Sequence, residues 1–141
     1  MCEPRMHFLI INGPNLNLLG TRETPIYGTQ TLDDIMTSVT QMAKTHGIEV
    51  TAVQSNHEGV IIDHVQAAIS KYDGIILNPA GYGHTSVALR DALLAVNCPT
   101  IEIHLTNLAK REEFRHRTLT AAACVGQISG CGAYGYQLAV L

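Results

Sequence analysis

The sequence predicts an α/β fold built on a five-stranded parallel sheet, and two observations predict it. Five short segments rich in apolar or branched residues recur along the chain, each too short for a helix. Segments with apolar residues at helical spacing stand between them. Short buried strands alternating with helices imply parallel pairing through crossover connections. A third observation places a site. The first four strand segments end in amide, hydroxyl or imidazole side chains, where an open parallel sheet binds its ligands.

The elements follow in order. Phe8–Ile11 is the first strand, stopped by the turn Asn12-Gly13-Pro14-Asn15. A flap-like loop follows, carrying Arg22 and Tyr27. Thr31 caps a helix starting at Leu32, with Asp34 near its first turn. Leu32, Ile35, Met36, Val39 and Met42 form its apolar stripe, and Gly47 is its C′ glycine. Ile48–Gln54 alternates as a second strand and ends in Ser55-Asn56-His57. Val60–Lys71 is a helix with Ile61, Val65, Ala68 and Ile69 as its buried stripe. Gly74–Leu77 is the third strand, closed by Asn78-Pro79-Ala80-Gly81-Tyr82-Gly83-His84. Ser86–Val96 is helical, and Pro99–Leu105 is the fourth strand. Lys110–His116 is a charged helical turn or short helix, Ala121–Ile128 the fifth strand, and Tyr134–Leu141 the last helix. This βαβαβαβαβα order matches a flavodoxin-like three-layer sandwich. No repeat or linker interrupts residues 1–141, which read as a single domain.

Composition narrows the function. With 141 residues, 46% hydrophobic and 15% charged, the chain can bury an adequate core. A net charge of −3 argues against a nucleic-acid surface. No apolar run approaches the roughly 18 residues of a membrane span. Cys2, Cys98, Cys124 and Cys131 are scattered without CxxC spacing, which fits free thiols in the reducing cytoplasm. No histidine or cysteine pattern suits a metal, and no Gly-rich phosphate loop or GxSxG elbow is present. Lys44, Lys71 and Lys110 all fall on helices expected to be exposed, so a Schiff base is poorly supported.

Several residues can carry chemistry. A phenol titrates near about 10, so Tyr27 is a base at neutral pH only if a cation favours its anion. Arg22 supplies a fixed charge for that purpose, and the shift needed is about three units, or roughly 4 kcal/mol. Taken alone, the two fit a solvated loop arginine and a tyrosine packed as a lid better than a catalytic pair. His104 ends a strand and shares a face with Glu102, so the carboxylate can orient the imidazole. His84 sits in a glycine-rich turn, and Asp91 lies in the next helix, either as a buried-facing carboxylate in want of a partner or as a surface carboxylate. Backbone N–H groups after His104, at Leu105-Thr106, can cradle a carboxylate. Of Arg111, Arg115 and Arg117, one returns to the site and two are solvated. A flavin- or nucleotide-binding module and a regulatory domain are the alternatives, and the missing phosphate loop counts against the first.

Longer motifs bring these residues together. LIINGPNLNLLGTRE…IYG at 9–28, QSNHEG at 54–59, ILNPAGYGHTSVALRDAL at 76–93, IEIHL at 101–105, FRH at 114–116 and GAYGY at 132–136 resemble type II 3-dehydroquinate dehydratase. The resemblance implies a lyase without metal or cofactor that converts 3-dehydroquinate to 3-dehydroshikimate and water. It implies Tyr27 as the base at C2, His104 as the acid for the C1 hydroxyl, and Arg22 as the charge holding Tyr27 ionised. It implies that Asn15 holds a water near the enolate oxygen. It assigns Asn78, His84, Asp91 and Arg115 to the substrate hydroxyls and the N–H groups of Leu105 and Thr106 to its carboxylate. It further implies trimers assembled into a dodecamer. Gly83 stands where that family commonly has threonine, and Thr106 where it has serine.

Overall fold

Residues 5–21, 25 and 29–141 are described in a computed structural model of the chain. Strands β1 (His7–Asn12), β2 (Glu49–Gln54), β3 (Gly74–Asn78), β4 (Thr100–His104) and β5 (Gly126–Ser129) form one sheet. Its order is β2-β1-β3-β4-β5 and every pairing is parallel. This is the flavodoxin-like arrangement. The expected three layers follow from strand periodicity. Leu9, Ile11, Ile75 and Leu77 point to one face and pack on Ile61, Val65, Leu89 and Leu93. Ile10, Ile76 and Ile103 point to the other and pack on Ile35, Val39, Tyr136 and Val140. Each fully buried aliphatic side chain contributes about 1.5–3 kcal/mol of transfer free energy.

The connecting helices are α1 (Leu32–Thr45), α2 (Glu58–Ala67), α3 (Tyr82–Thr85), α4 (Val87–Val96) and α5 (Tyr134–Val140). Thr31 caps α1 in a full capping box with Asp34. At its other end, Gly47 N–H and Ile48 N–H donate to Lys44 and Ala43 carbonyls, a Schellman closure. Both ends agree with the sequence expectation. No helix among the described residues is long and apolar enough to cross a membrane.

Three local readings need correction. The fifth strand is only Gly126–Ser129, because Ala121–Ala123 closes a 3-10 turn instead. Three alanines lack the branched side chains that favour a pleated strand. Of the two readings of residues 110–116, the helical turn is the one observed: 3-10 turns form at Leu108–Lys110 and Glu113–Arg115. Ser86 caps α4 rather than beginning it, accepting the Leu89 N–H at 2.9 Å. Ile69 lies beyond the end of α2 and is exposed, so it is no part of that helix's buried stripe.

The sheet order reverses between β1 and β3. Gly13 makes their ends meet. Its N–H donates to the Asn78 carbonyl at 2.8 Å, and a Cβ there would lie 2.5 Å from the Pro79 oxygen. Only glycine permits that approach. Asn12 and Asn78 are thereby held side by side at the mouth of the crevice where such folds bind ligands.

Candidate active site

A cleft of about 140 Å³ opens over the carboxyl ends of β1, β3 and β4. Asn15, Asn78, His84, His104, Leu105, Thr106 and Arg115, all named from the sequence, line it. Glu102 stands behind His104 and is fully buried. Arg22 and Tyr27 lie outside the described residues. Asp91 is exposed on α4, absent from the cleft lining, which corrects its reading as a buried-facing carboxylate. An i, i+4 helix face toward α2 is filled instead by Leu89 and Leu93.

The first strand's turn is fixed from outside. Asn15 adopts the left-handed region at φ 68°, a conformation asparagine tolerates better than most residues. Its N–H donates to Asn56 Oδ1 at 3.0 Å, and Gln54 Nε2 donates to the same oxygen at 3.2 Å. Tyr82 reaches the Asn56 carbonyl at 2.8 Å. The polar end of β2 therefore braces the site rather than lining it, unlike the ends of the other three strands.

Asn78 is held from below. Its Nδ2 donates to the Tyr136 hydroxyl at 3.0 Å, and its Oδ1 accepts the Ala80 N–H at 3.2 Å. Tyr136 is fully buried, and desolvation pushes its hydroxyl above the ordinary phenol range although the Asn78 bond opposes this. It stays protonated and is a structural donor, not a base.

The two histidines are oriented by different partners. His104 Nε2–H donates to Glu102 Oε2 at 2.9 Å, as the two-residue spacing predicts. Glu102 also accepts from Thr120 at Oε1 and from Gln127 Nε2 at 3.0 Å. Burial alone would raise its pKa. Hydrogen bonds from His104, Thr120 and Thr118 and the His104 charge outweigh burial and hold it below the ordinary carboxylate value. His84 Nδ1–H donates to the Arg117 carbonyl at 2.9 Å, and its ring centre is 5.8 Å from that of His104. Desolvation lowers the His84 pKa, and the charges of His104 and Arg115 add to this against the Arg117 bond and Glu102. His84 is thus a neutral imidazole at pH 7, with Nε2 left as an acceptor.

The arginines differ from expectation. Two of them, Arg111 and Arg115, line the cleft, and Arg117 is exposed. Arg111 is the residue sequence reasoning missed: its side chain is only 14% exposed and Nη1 donates to Thr106 Oγ1 at 3.0 Å. Glu112 binds the Nε of Arg111 at 3.3 Å and of Arg115 at 3.1 Å, orienting both guanidinium groups. The Arg-Glu-Glu-Phe-Arg spacing on successive 3-10 turns is the signal that could have paired them. The cleft lining carries two arginines and no carboxylate among the described residues, so it suits an anion.

A doubly wound sheet with a carboxylate–imidazole pair at its switch-point crevice defines an α/β acid–base enzyme. The chain belongs to the class II dehydroquinase family, whose sequence model matches residues 6–141, and it is a hydro-lyase. It is 52% identical over 136 residues to a 3-dehydroquinate dehydratase of Clostridium perfringens, covering 96% of this chain and 94% of that one. It is 53% identical over 132 residues to a catabolic 3-dehydroquinase of Penicillium rubens, covering 94% and 85%. The crystal structure of a type II dehydroquinase from Butyrivibrio crossotus superposes with a TM-score of 0.94 at 47% identity, covering 96% of this chain and 95% of that one.

Proposed function

We propose that this chain, acting as one catalytic domain, eliminates water from 3-dehydroquinate to give 3-dehydroshikimate. Tyr27, as the phenolate, takes the proton from C2 beside the C3 ketone. The C2–H electron pair moves into an enolate. His104 then donates a proton to the C1 hydroxyl as the C1–O bond breaks, and the enolate electrons form the new C=C bond. Arg22 keeps Tyr27 ionised and steadies the developing charge. Asn15 holds a water at the enolate oxygen. Asn78, His84 and Arg115 bind the substrate hydroxyls, and the N–H groups of Leu105 and Thr106 take its carboxylate.

The observation that carries this reading is the Glu102–His104 pair at the wall of an arginine-lined cleft. An anionic substrate suits the arginines, and an imidazolium held in one orientation by a carboxylate suits a poor leaving group. Asp91 is exposed outside the lining, so its part in substrate binding falls to the cleft of a neighbouring copy. That placement favours a homo-oligomer, with trimers in a dodecamer as the proposed form and the cytoplasm as its place. The reaction serves either aromatic biosynthesis or quinate breakdown.

The test is the rise of the conjugated enone absorbance on adding 3-dehydroquinate to wild type and to Tyr27→Phe. Wild type turns substrate over and Tyr27→Phe folds but does not. An unchanged kcat in Tyr27→Phe removes Tyr27 as the base.

A further inference from the structure

The buried carboxylate behind His104 has more donors than orientation by one histidine requires. Glu102 is 0% exposed, and both its oxygens are occupied. Oε2 takes the His104 Nε2–H and the Gln127 amide, Oε1 takes the Thr120 hydroxyl, and Thr118 donates to the same carboxylate. Thr120 is itself fully buried and comes from a segment with no helix or strand of its own. That segment is fastened on both sides: Leu119 N–H donates to the Gly83 carbonyl at 2.7 Å, and Arg90 Nη1 donates to the Leu119 carbonyl at 3.1 Å. Gln127 arrives from β5, where the register sets it directly beside Glu102.

We propose that Thr120 is a positioning residue for His104: by holding Glu102 Oε1 it keeps Oε2 turned to the imidazole, with Gln127 as the second support. The inference rests on the proposed role of His104 as the acid. A carboxylate that loses a donor in a dry interior has two escapes. It rotates about its last torsion, or it takes a proton. Rotation breaks the His104 Nε2–H···Oε2 bond and protonation weakens it by removing the carboxylate charge, so the imidazole loses its fixed aim. With Thr120 and Gln127 in place the carboxylate remains a bonded anion after His104 has given up its proton. The acid is then ready for re-protonation in the same pose. Both donors are neutral, so they hold the anion without adding a charge that would compete with the imidazole.

The experiment compares wild type, Thr120→Val, Thr120→Ser and Gln127→Met. Enone kinetics and the imidazole N–H signals of substrate-free protein, assigned with His104→Asn, are measured on each. General acids contribute about 10²–10⁴-fold, so losing part of their aim predicts a kcat about tenfold lower in Thr120→Val. KM stays near its wild-type value, the His104 Nε2–H signal moves or broadens, and Thr120→Ser restores both. Gln127→Met shifts both readouts in the same direction, and it carries the test alone if Thr120→Val does not fold. A folded Thr120→Val, or in its place Gln127→Met, with unchanged kcat and an unmoved signal overturns the proposal. Wild type inactive on 3-dehydroquinate instead overturns the dehydratase reading, and the imidazole signals still judge the hydrogen-bond shell.

Discussion

The Tyr136 hydroxyl donates to Asn12 Oδ1 at 2.6 Å, tying the last helix to the end of the first strand. The same hydroxyl accepts from Asn78 Nδ2, so one buried phenol fixes two strand-end amides. Asn12 in turn donates to the Val53 carbonyl at 3.3 Å, which extends the chain to β2. Tyr136→Phe leaves a buried donor and a buried acceptor unpaired, at about 1–3 kcal/mol of stability. It also frees Asn78 at the cleft. The expected outcome is a lower urea midpoint together with a raised KM and a smaller change in kcat. A KM equal to wild type means that Asn78 does not depend on Tyr136 for its place.

Gly13 makes a sharper mechanical claim. An added Cβ meets the Pro79 carbonyl oxygen at 2.5 Å, and backbone cannot yield as a side-chain tip does. Gly13→Ala therefore pushes the ends of β1 and β3 apart and breaks the bond from Gly13 N–H to the Asn78 carbonyl. Overpacking of this kind costs about 1–3 kcal/mol. Activity suffers more than stability, because the pair Asn15 and Asn78 is set by that approach. Enone turnover per folded molecule, measured against the urea midpoint, checks the order of the two effects.

Thr31 was legible as a cap from local sequence alone, and its energy is local too. Thr31→Ala removes the acceptor for the Asp34 N–H and half of the capping box. The expected loss is about 1 kcal/mol with kcat and KM unchanged. A thermal melt and the enone assay on the same sample test both parts. This variant also serves as the comparison for Tyr136→Phe, since it separates lost stability from lost function.

The contrast between these residues explains what could be read in advance. Strand ends are written locally: an apolar run stops at amides or imidazoles, and a two-residue period puts Glu102 and His104 on one face. Asn78, His84, His104 and Arg115 followed from that logic and from the motifs. Thr120, Gln127 and Tyr136 did not, because each meets its partner 18, 25 or 58 residues away. Those contacts exist only once the sheet order is set and the segment after Arg117 is laid across β4. Arg111 was misread because a charged run is usually a solvated face. Here Glu112 turns both neighbouring arginines inward. The fifth strand was drawn too long because apolar alanines carry no information on whether a chain extends or turns.

Acid should weaken the fold in two separable stages. His84 has a folded pKa below its unfolded value of 6.5, so the unfolded chain binds that proton first. Its contribution is intact above 6.5 and is lost as pH falls below that value. Glu102 also has a folded value below the unfolded 4.5, set by its donors against burial. Its contribution is present above 4.5 and is lost as pH falls through the folded value. Urea midpoints taken from pH 8 downward therefore show an early decline and a later one. His84→Asn removes the early decline and keeps the later one, whereas Glu102→Gln does the reverse. Profiles of His84→Asn and wild type that run parallel from pH 8 to 5 would mean that the neutral imidazole is not what the fold prefers at that position.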